Sequence, residues 1–180
     1  MTNKEIFLFL NGKQNGIDSK QSFGIIVKTN MNMKLNIGDK APAFSCTDEN
    51  GKLLQLKDFK GQKLVLYFYP KDDTPGCTAE ACDLRDNYQH FLKAGYQILG
   101  VSPDTASKHL KFIAKYNLPF SLLADETHEV AEAYGVWAEK SMYGKKYMGI
   151  LRTTFVIDEK GKISQIIEKV DTKNHSKQLL

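Results

Sequence analysis

Hydrophobic residues fall into short runs separated by glycine, proline and acidic turns, and their spacing alternates between the periods of strands and of helices. Leu64–Tyr69 consists of aliphatic and aromatic side chains without polar alternation, which suits a central strand covered on both faces and ending at Pro70. Past Pro75 and Gly76 the period lengthens. Ala81, Leu84, Tyr88 and Phe91 recur at three- and four-residue steps, predicting one helix that Gly95 closes. Tyr96–Val101 reads as the next strand, and Ser102-Pro103-Asp104 turns into a helix whose Leu110, Ile113 and Ala114 share a face. Leu122–Ala124 is short and apolar, and Asp125 is placed to cap a helix over Thr127–Tyr134 that Gly135 stops.

The two ends of this alternation carry hairpin signals. Lys34–Phe44 leads in, and Asp48-Glu49-Asn50-Gly51 turns between two short extended pieces. Thr153–Ile157 and Ile163–Glu168 flank Asp158-Glu159-Lys160-Gly161 and are expected to pair antiparallel, after which Asn174 starts a last, short helix. Strands joined by helical crossovers become parallel neighbours. The expectation is an α/β domain over residues 34–180 with a mixed central sheet and helices on both faces.

Residues 1–33 read as a separate N-terminal extension. Ile6–Leu10 and Phe23–Val27 could pair as a loose hairpin but have no third strand to pack on. This segment is expected to be poorly ordered, or untranslated if Met31 or Met33 is the true start.

Charge and composition narrow the function classes. The net charge of +4 over 180 residues is small and dispersed, with four lysines against two acids in residues 1–33, which argues against nucleic acid or a membrane surface as partner. No apolar run approaches the ~18 residues of a membrane span, and Ile6–Leu10 is too short for the core of a secretory signal. Three cysteines do not make an export framework, so a cytoplasmic protein is expected. Metal is not expected, since Cys77 and Cys82 have no second pair and His90, His109, His128 and His175 show no ligand spacing.

The chemistry concentrates in Pro70-Lys71-Asp72-Asp73-Thr74-Pro75-Gly76-Cys77-Thr78-Ala79-Glu80-Ala81-Cys82. Pro75 and Gly76 break regular structure, and Thr78 onward is helix material, so Cys77 falls at or near a helix N-terminus. Unpaired amides and partial positive charge there favour a thiolate, which a nucleophilic or peroxide-sensing cysteine needs. The hydroxyl of Thr74 is placed to bond the sulfur or a substrate oxygen. Cys82 follows five residues later, about 7.5 Å along a helix and about 140° around it. The Cα atoms then stand roughly 8 to 9 Å apart, beyond the ~7 Å a disulfide spans, so joining the two sulfurs requires the first helical turns to unwind.

Pro70-x-x-x-Thr74-x-x-Cys77 resembles the active-site motif of the peroxiredoxins, and the run from Tyr69 to Cys82 is similar to the bacterioferritin comigratory protein subgroup. The resemblance extends from about Met33 to the C-terminus through Phe44, Gly135-Val136-Trp137 and Arg152-Thr153-Thr154-Phe155. It implies a thioredoxin-like fold and a thiol peroxidase that reduces hydrogen peroxide and organic hydroperoxides without a cofactor. Cys77 is then the attacking sulfur, Thr74 its hydrogen-bond partner, Pro70 the shield from water, and Arg152 the distant arginine completing the site. Cys82 matches the resolving position, with thioredoxin or a related dithiol reopening the internal disulfide, and the subgroup suggests a monomer.

The remaining candidates read as structural. Cys46 is expected to be buried or at an edge, Glu80 and Arg85 to lie on a solvated helix face, and Trp137 to fill core beside the site. A disulfide reductase is disfavoured because no Cys-x-x-Cys occurs. A redox sensor or stress chaperone on the same fold is the alternative.

Overall fold

A computed structural model of the protein describes residues 34–142 and 144–180, and the expectations for residues 1–33 lie outside them. The chain opens with a hairpin, β1 (Ser45–Thr47) and β2 (Leu53–Gln55), turned by the acidic segment Asp48–Gly51. It then enters β3 (Lys63–Phe68), α1 (Pro75–Asp86), α2 (Tyr88–Lys93), β4 (Tyr96–Ser102), α3 (Ala106–Tyr116) and β5 (Leu122–Ala124). After α4 (Glu129–Ala133) come a second hairpin, β6 (Trp137–Met142) and β7 (Lys145–Ile150), then β8 (Thr153–Ile157), β9 (Ile163–Ile167) and α5 (His175–Leu179).

The central sheet has the order β5-β4-β3-β8-β9. β3 lies in its middle, parallel to β4 and antiparallel to β8, which is why its residues beyond Lys63 are apolar without alternation. Leu64, Leu66 and Phe68 point into one layer, with α4 and the lead-in segment around Phe44. Val65, Tyr67 and Tyr69 point into the other, against Ala81, Leu84, Phe91, Phe112 and Leu179 from α1, α2, α3 and α5. The mixed sheet with helices on both faces is the predicted one.

Three local features differ from expectation. The single helix after Pro75 is split at Asn87, whose side-chain amide donates to the Asp83 carbonyl at 2.9 Å and whose ψ is 5°. An asparagine competing in this way for a helical carbonyl favours a break. Helix α3 buries His109 and Phe112, while Leu110 is 46% exposed and Ala114 also faces water. The stripe through residues 109, 112, 113 and 116 has the same period as the predicted one, and a histidine inside it is what hid the orientation. The β6–β7 hairpin was not predicted at all, because its Lys-rich strands bury little: residues 145–148 are all exposed.

The Asp125 carboxylate caps α4 as expected, accepting from the amides of Val130 and Ala131 at 3.1 and 2.8 Å, but the helix is shorter than Thr127–Tyr134 and its N-cap position is His128. Gly100, in the middle of β4, is required by packing. A Cβ there would stand 2.6 Å from a Leu122 methyl and 2.8 Å from the Tyr67 ring. Gly100→Ala is therefore expected to destabilise the domain by about 1–3 kcal/mol through overpacking. A fall in the urea midpoint at unchanged slope is the measurement.

Candidate active site

The register of the sheet brings two distant segments together. Phe68 at the end of β3 stands opposite Thr153 at the start of β8. The loop that leaves β3 and the residue that precedes β8 therefore emerge at the same end of the sheet. One carries Pro70 to Cys77, and the other is Arg152.

The loop is held from below by α3 and its cap. Asp72 is buried, accepts from Tyr69 Oη at 2.7 Å and stands 2.7 Å from His109 Nδ1, while its amide donates to Asp104 Oδ2 at 2.7 Å. Nε2 of the fully buried His109 faces the Leu123 carbonyl at 3.1 Å. Asp73, at φ 55°, is exposed and bonded by Lys115 Nζ and Tyr116 Oη at 2.7 and 2.6 Å. Burial makes ionisation of Tyr69 unfavourable, so this phenol stays a donor.

Helix α1 begins as its sequence demands. Thr74 is the extended N-cap, and Pro75 takes the first helical position, where no N–H is needed. The Thr78 amide bonds back to the Thr74 carbonyl at 2.8 Å, so the amides of Gly76 and Cys77 belong to the first turn, which lacks intrahelical partners. Cys77 is 2% exposed, with its sulfur at this positive helix end.

Arg152 completes the arrangement. Its Nη2 donates to Cys77 Sγ at 3.1 Å, and its Nη1 donates to Glu80 Oε2. Burial pulls the guanidinium toward neutrality, but the Glu80 carboxylate and the Cys77 sulfur more than offset this and hold it above its ordinary value. The other oxygen of Glu80 lies 3.2 Å from Nδ1 of the fully buried His175. Pro70 is half-buried at the start of the loop, and Cys82 is partly exposed on the same unbroken helix as Cys77. A cysteine sulfur, a fixed cation and first-turn amides around one point suit a reaction that develops negative charge on two oxygens.

Residues 37–166 match the AhpC/TSA family. The chain belongs to the AhpC/TSA family. It is 52% identical over 143 residues to the "Putative peroxiredoxin bcp" of Coxiella burnetii, covering 79% of this chain and 95% of that protein. It is 50% identical over 143 residues to "Peroxiredoxin Bcp" of Bacillus subtilis, with 79% and 91% covered. Among solved structures it resembles the Xanthomonas campestris bacterioferritin comigratory protein, studied for alkyl peroxide reduction, at a TM-score of 0.72 and 38% identity over 76% of this chain and 87% of that one. It also resembles Xylella fastidiosa PrxQ, at a TM-score of 0.76 and 32% identity over 81% and 92%. The fold is thioredoxin-like, and the protein is a peroxiredoxin.

Several site residues of this peroxiredoxin differ from their sequence reading. Thr74 does not bond the sulfur, because its hydroxyl proton goes to the Lys71 carbonyl at 3.0 Å. Glu80 is not on a solvated face. It is fully buried against Arg152, and the signal was present in the stripe Cys77, Glu80, Ala81, Leu84, where a carboxylate occupies a core position. Arg85 is also only part-exposed, donating to the Tyr116 carbonyl at 2.7 Å. Trp137 packs against the core beside the site as expected, but it is only half-buried, with its ring stacked on His128 at 3.8 Å between centres. The roles of Asp72, His109 and His175 were missed, since isolated histidines and one of two adjacent aspartates carry no spacing signal.

Removing one partner from a buried ion pair strands the other, at a cost of about 3–5 kcal/mol. Arg152 keeps some contact with water, its side chain being 22% exposed, so Glu80→Ala is expected near the low end, about 3 kcal/mol. Denaturant unfolding reads this out. The thiol of Cys46, by contrast, is pushed up to about 11, chiefly by burial with Asp125 adding to it. Its folded value lies above the ordinary 9.0, so stability that is full below pH 9 is lost as pH rises through about 11. Cys46→Ala is expected to flatten that alkaline loss in unfolding curves.

Proposed function

We propose that this peroxiredoxin reduces hydrogen peroxide and organic hydroperoxides through the Cys77 thiolate, and that Cys82 resolves the product. The observation that carries this reading is the Arg152 Nη2 to Cys77 Sγ contact at 3.1 Å on the opening turn of α1. The thiolate attacks one peroxide oxygen, an S–O bond forms as the O–O bond breaks, and the second oxygen leaves as hydroxide or alkoxide to be protonated. Sulfur is oxidised by two electrons to the sulfenic acid. Arg152 and the first-turn amides stabilise charge on both oxygens, and Thr74, with its proton engaged by Lys71, has lone pairs to accept the O–H of the incoming peroxide. Pro70 covers the loop side.

A groove of about 860 Å³ beside Arg152, lined by Val136, Trp137, Met148, Leu151 and Phe155 among others, offers an organic substituent an apolar surface. In the next step the Cys82 sulfur attacks the sulfenic sulfur, forming the disulfide and releasing water. The two cysteines lie five residues apart on continuous helix, so this bond needs the first turns of α1 to unwind. A dithiol of the thioredoxin type restores both thiols by two exchange steps. The family resemblance favours a monomer, and a sequence with three cysteines rather than an export framework favours the cytoplasm.

Peroxide consumption with thioredoxin, its reductase and NADPH tests the cycle. Cys77→Ser is expected to abolish turnover, and Cys82→Ser to complete one turnover and then stop. One equivalent of peroxide is expected to lower the intact mass of the wild type by two hydrogens, mapped to the peptide holding both cysteines. Persistent turnover in Cys77→Ser, or full cycling in Cys82→Ser, overturns the assignment of the respective residue. Arg152→Met is expected to slow peroxide oxidation by about 10²-fold or more, the scale of losing one preorganised donor.

A further inference from the structure

His175 is fully buried and has no part in the cycle above. Its ring enters from α5 and lies between α1 and β8. Nε2 is 3.0 Å from Thr154 Oγ1, Nδ1 is 3.2 Å from Glu80 Oε1, and the Tyr67 ring of β3 stands edge-on at 6.5 Å. Beyond Glu80 the next charged group is Arg152, and Asp83 of α1 accepts from the Ser176 amide at 2.6 Å, which pins the start of α5 to the cysteine helix. Leu179 anchors the other end of α5 in the core.

The two oxygens of Glu80 thus have different partners. Oε2 receives the Arg152 guanidinium, while Oε1 faces only His175 Nδ1, at an ion-pair distance but off the line of a full hydrogen bond. A buried carboxylate oxygen without a donor is costly, so the Nδ1 proton decides where that oxygen rests. With Nδ1–H turned to Glu80, Nε2 is the lone-pair nitrogen and the Thr154 hydroxyl donates to it. One tautomer serves both contacts once Nδ1–H swings onto the line of Oε1.

We propose that His175 is a positioning residue of the peroxidase step: it fixes the Glu80 carboxylate, which in turn presents Arg152 to the Cys77 sulfur. This rests on the reading of Cys77 as the attacking thiolate. The C-terminal helix is then part of the machinery of a site that its own residues never touch.

Asparagine places its amide nitrogen near the position of Nδ1 and glutamine near that of Nε2, so the two variants separate the contacts. In single-turnover oxidation by hydrogen peroxide, His175→Gln is expected to fall about tenfold, the scale of losing an orienting partner, and His175→Asn to stay within about threefold of wild type. Reduction of the preformed disulfide by thioredoxin is expected to be unchanged in both. In an Arg152→Lys background, His175→Gln is expected to add little, because its effect runs through the arginine. Equal rates in the two His175 variants, or a full tenfold loss persisting without Arg152, overturns the proposal. Should His175→Gln not fold, Thr154→Val, which frees the ring without removing it, is expected to slow the same step, and an unchanged rate there is the overturning result. Cys77→Ser in the same assay keeps the two readings apart. If it still reduces peroxide, the assignment of Cys77 fails, and if it does not while His175→Gln matches wild type, only the role of His175 fails.

Discussion

A guanidinium buried beside a thiol needs a counter-charge, and Glu80 supplies it. Without the carboxylate, desolvation of Arg152 would have only the sulfur to set against it, and the side chain would gain by turning to water. With it, the arginine is held in one orientation, one N–H face on Glu80 and the other on Cys77. The remaining construction serves this triple contact. The antiparallel pairing of β3 with β8 delivers Arg152 to the right end of the sheet, and the Pro75 start of α1 places sulfur and carboxylate three residues apart on the same helical face.

The support beneath the site is polar as well as apolar. Asp72 anchors the loop before the helix through Tyr69, His109 and Asp104, and Asp73 ties the same loop to Lys115 and Tyr116 on the outside. Exposed contacts such as the last contribute little to stability. The buried ones matter more, because each unsatisfied member would carry the full cost of its own desolvation. A loop so tied is preorganised before substrate arrives, which is where donors that stabilise developing charge are most effective.

The elements that were legible in the sequence are those whose burial is written as a period: β3, β4, the β8–β9 hairpin and the start of α1. Cys77 and Arg152 could be named because a motif carried them. The buried face of α3 was misread because His109 counts as polar in any periodic scan, although both its ring nitrogens face oxygens inside the protein. Glu80 was misread for the same reason. The β6–β7 hairpin left no trace because its exposed strands alternate too weakly to register, and among its described residues only Trp137 and Ile150 at its base reach the core. Polar groups that meet only in three dimensions are the class that sequence spacing cannot reveal.

The position of Glu80 between the two cysteines gives the proposed cycle a built-in conflict. Attack on peroxide needs α1 wound, so that Cys77 sits on the free amides and Glu80 on Arg152. Closing the bond to Cys82 needs the same turns unwound, and Glu80 lies within them. The carboxylate that organises the first half-reaction must therefore leave its partners in the second, releasing both the arginine and the histidine of the C-terminal helix. Rewinding α1 after reduction returns Glu80 to Arg152 and His175, and the Cys77 sulfur to the guanidinium that meets the next peroxide.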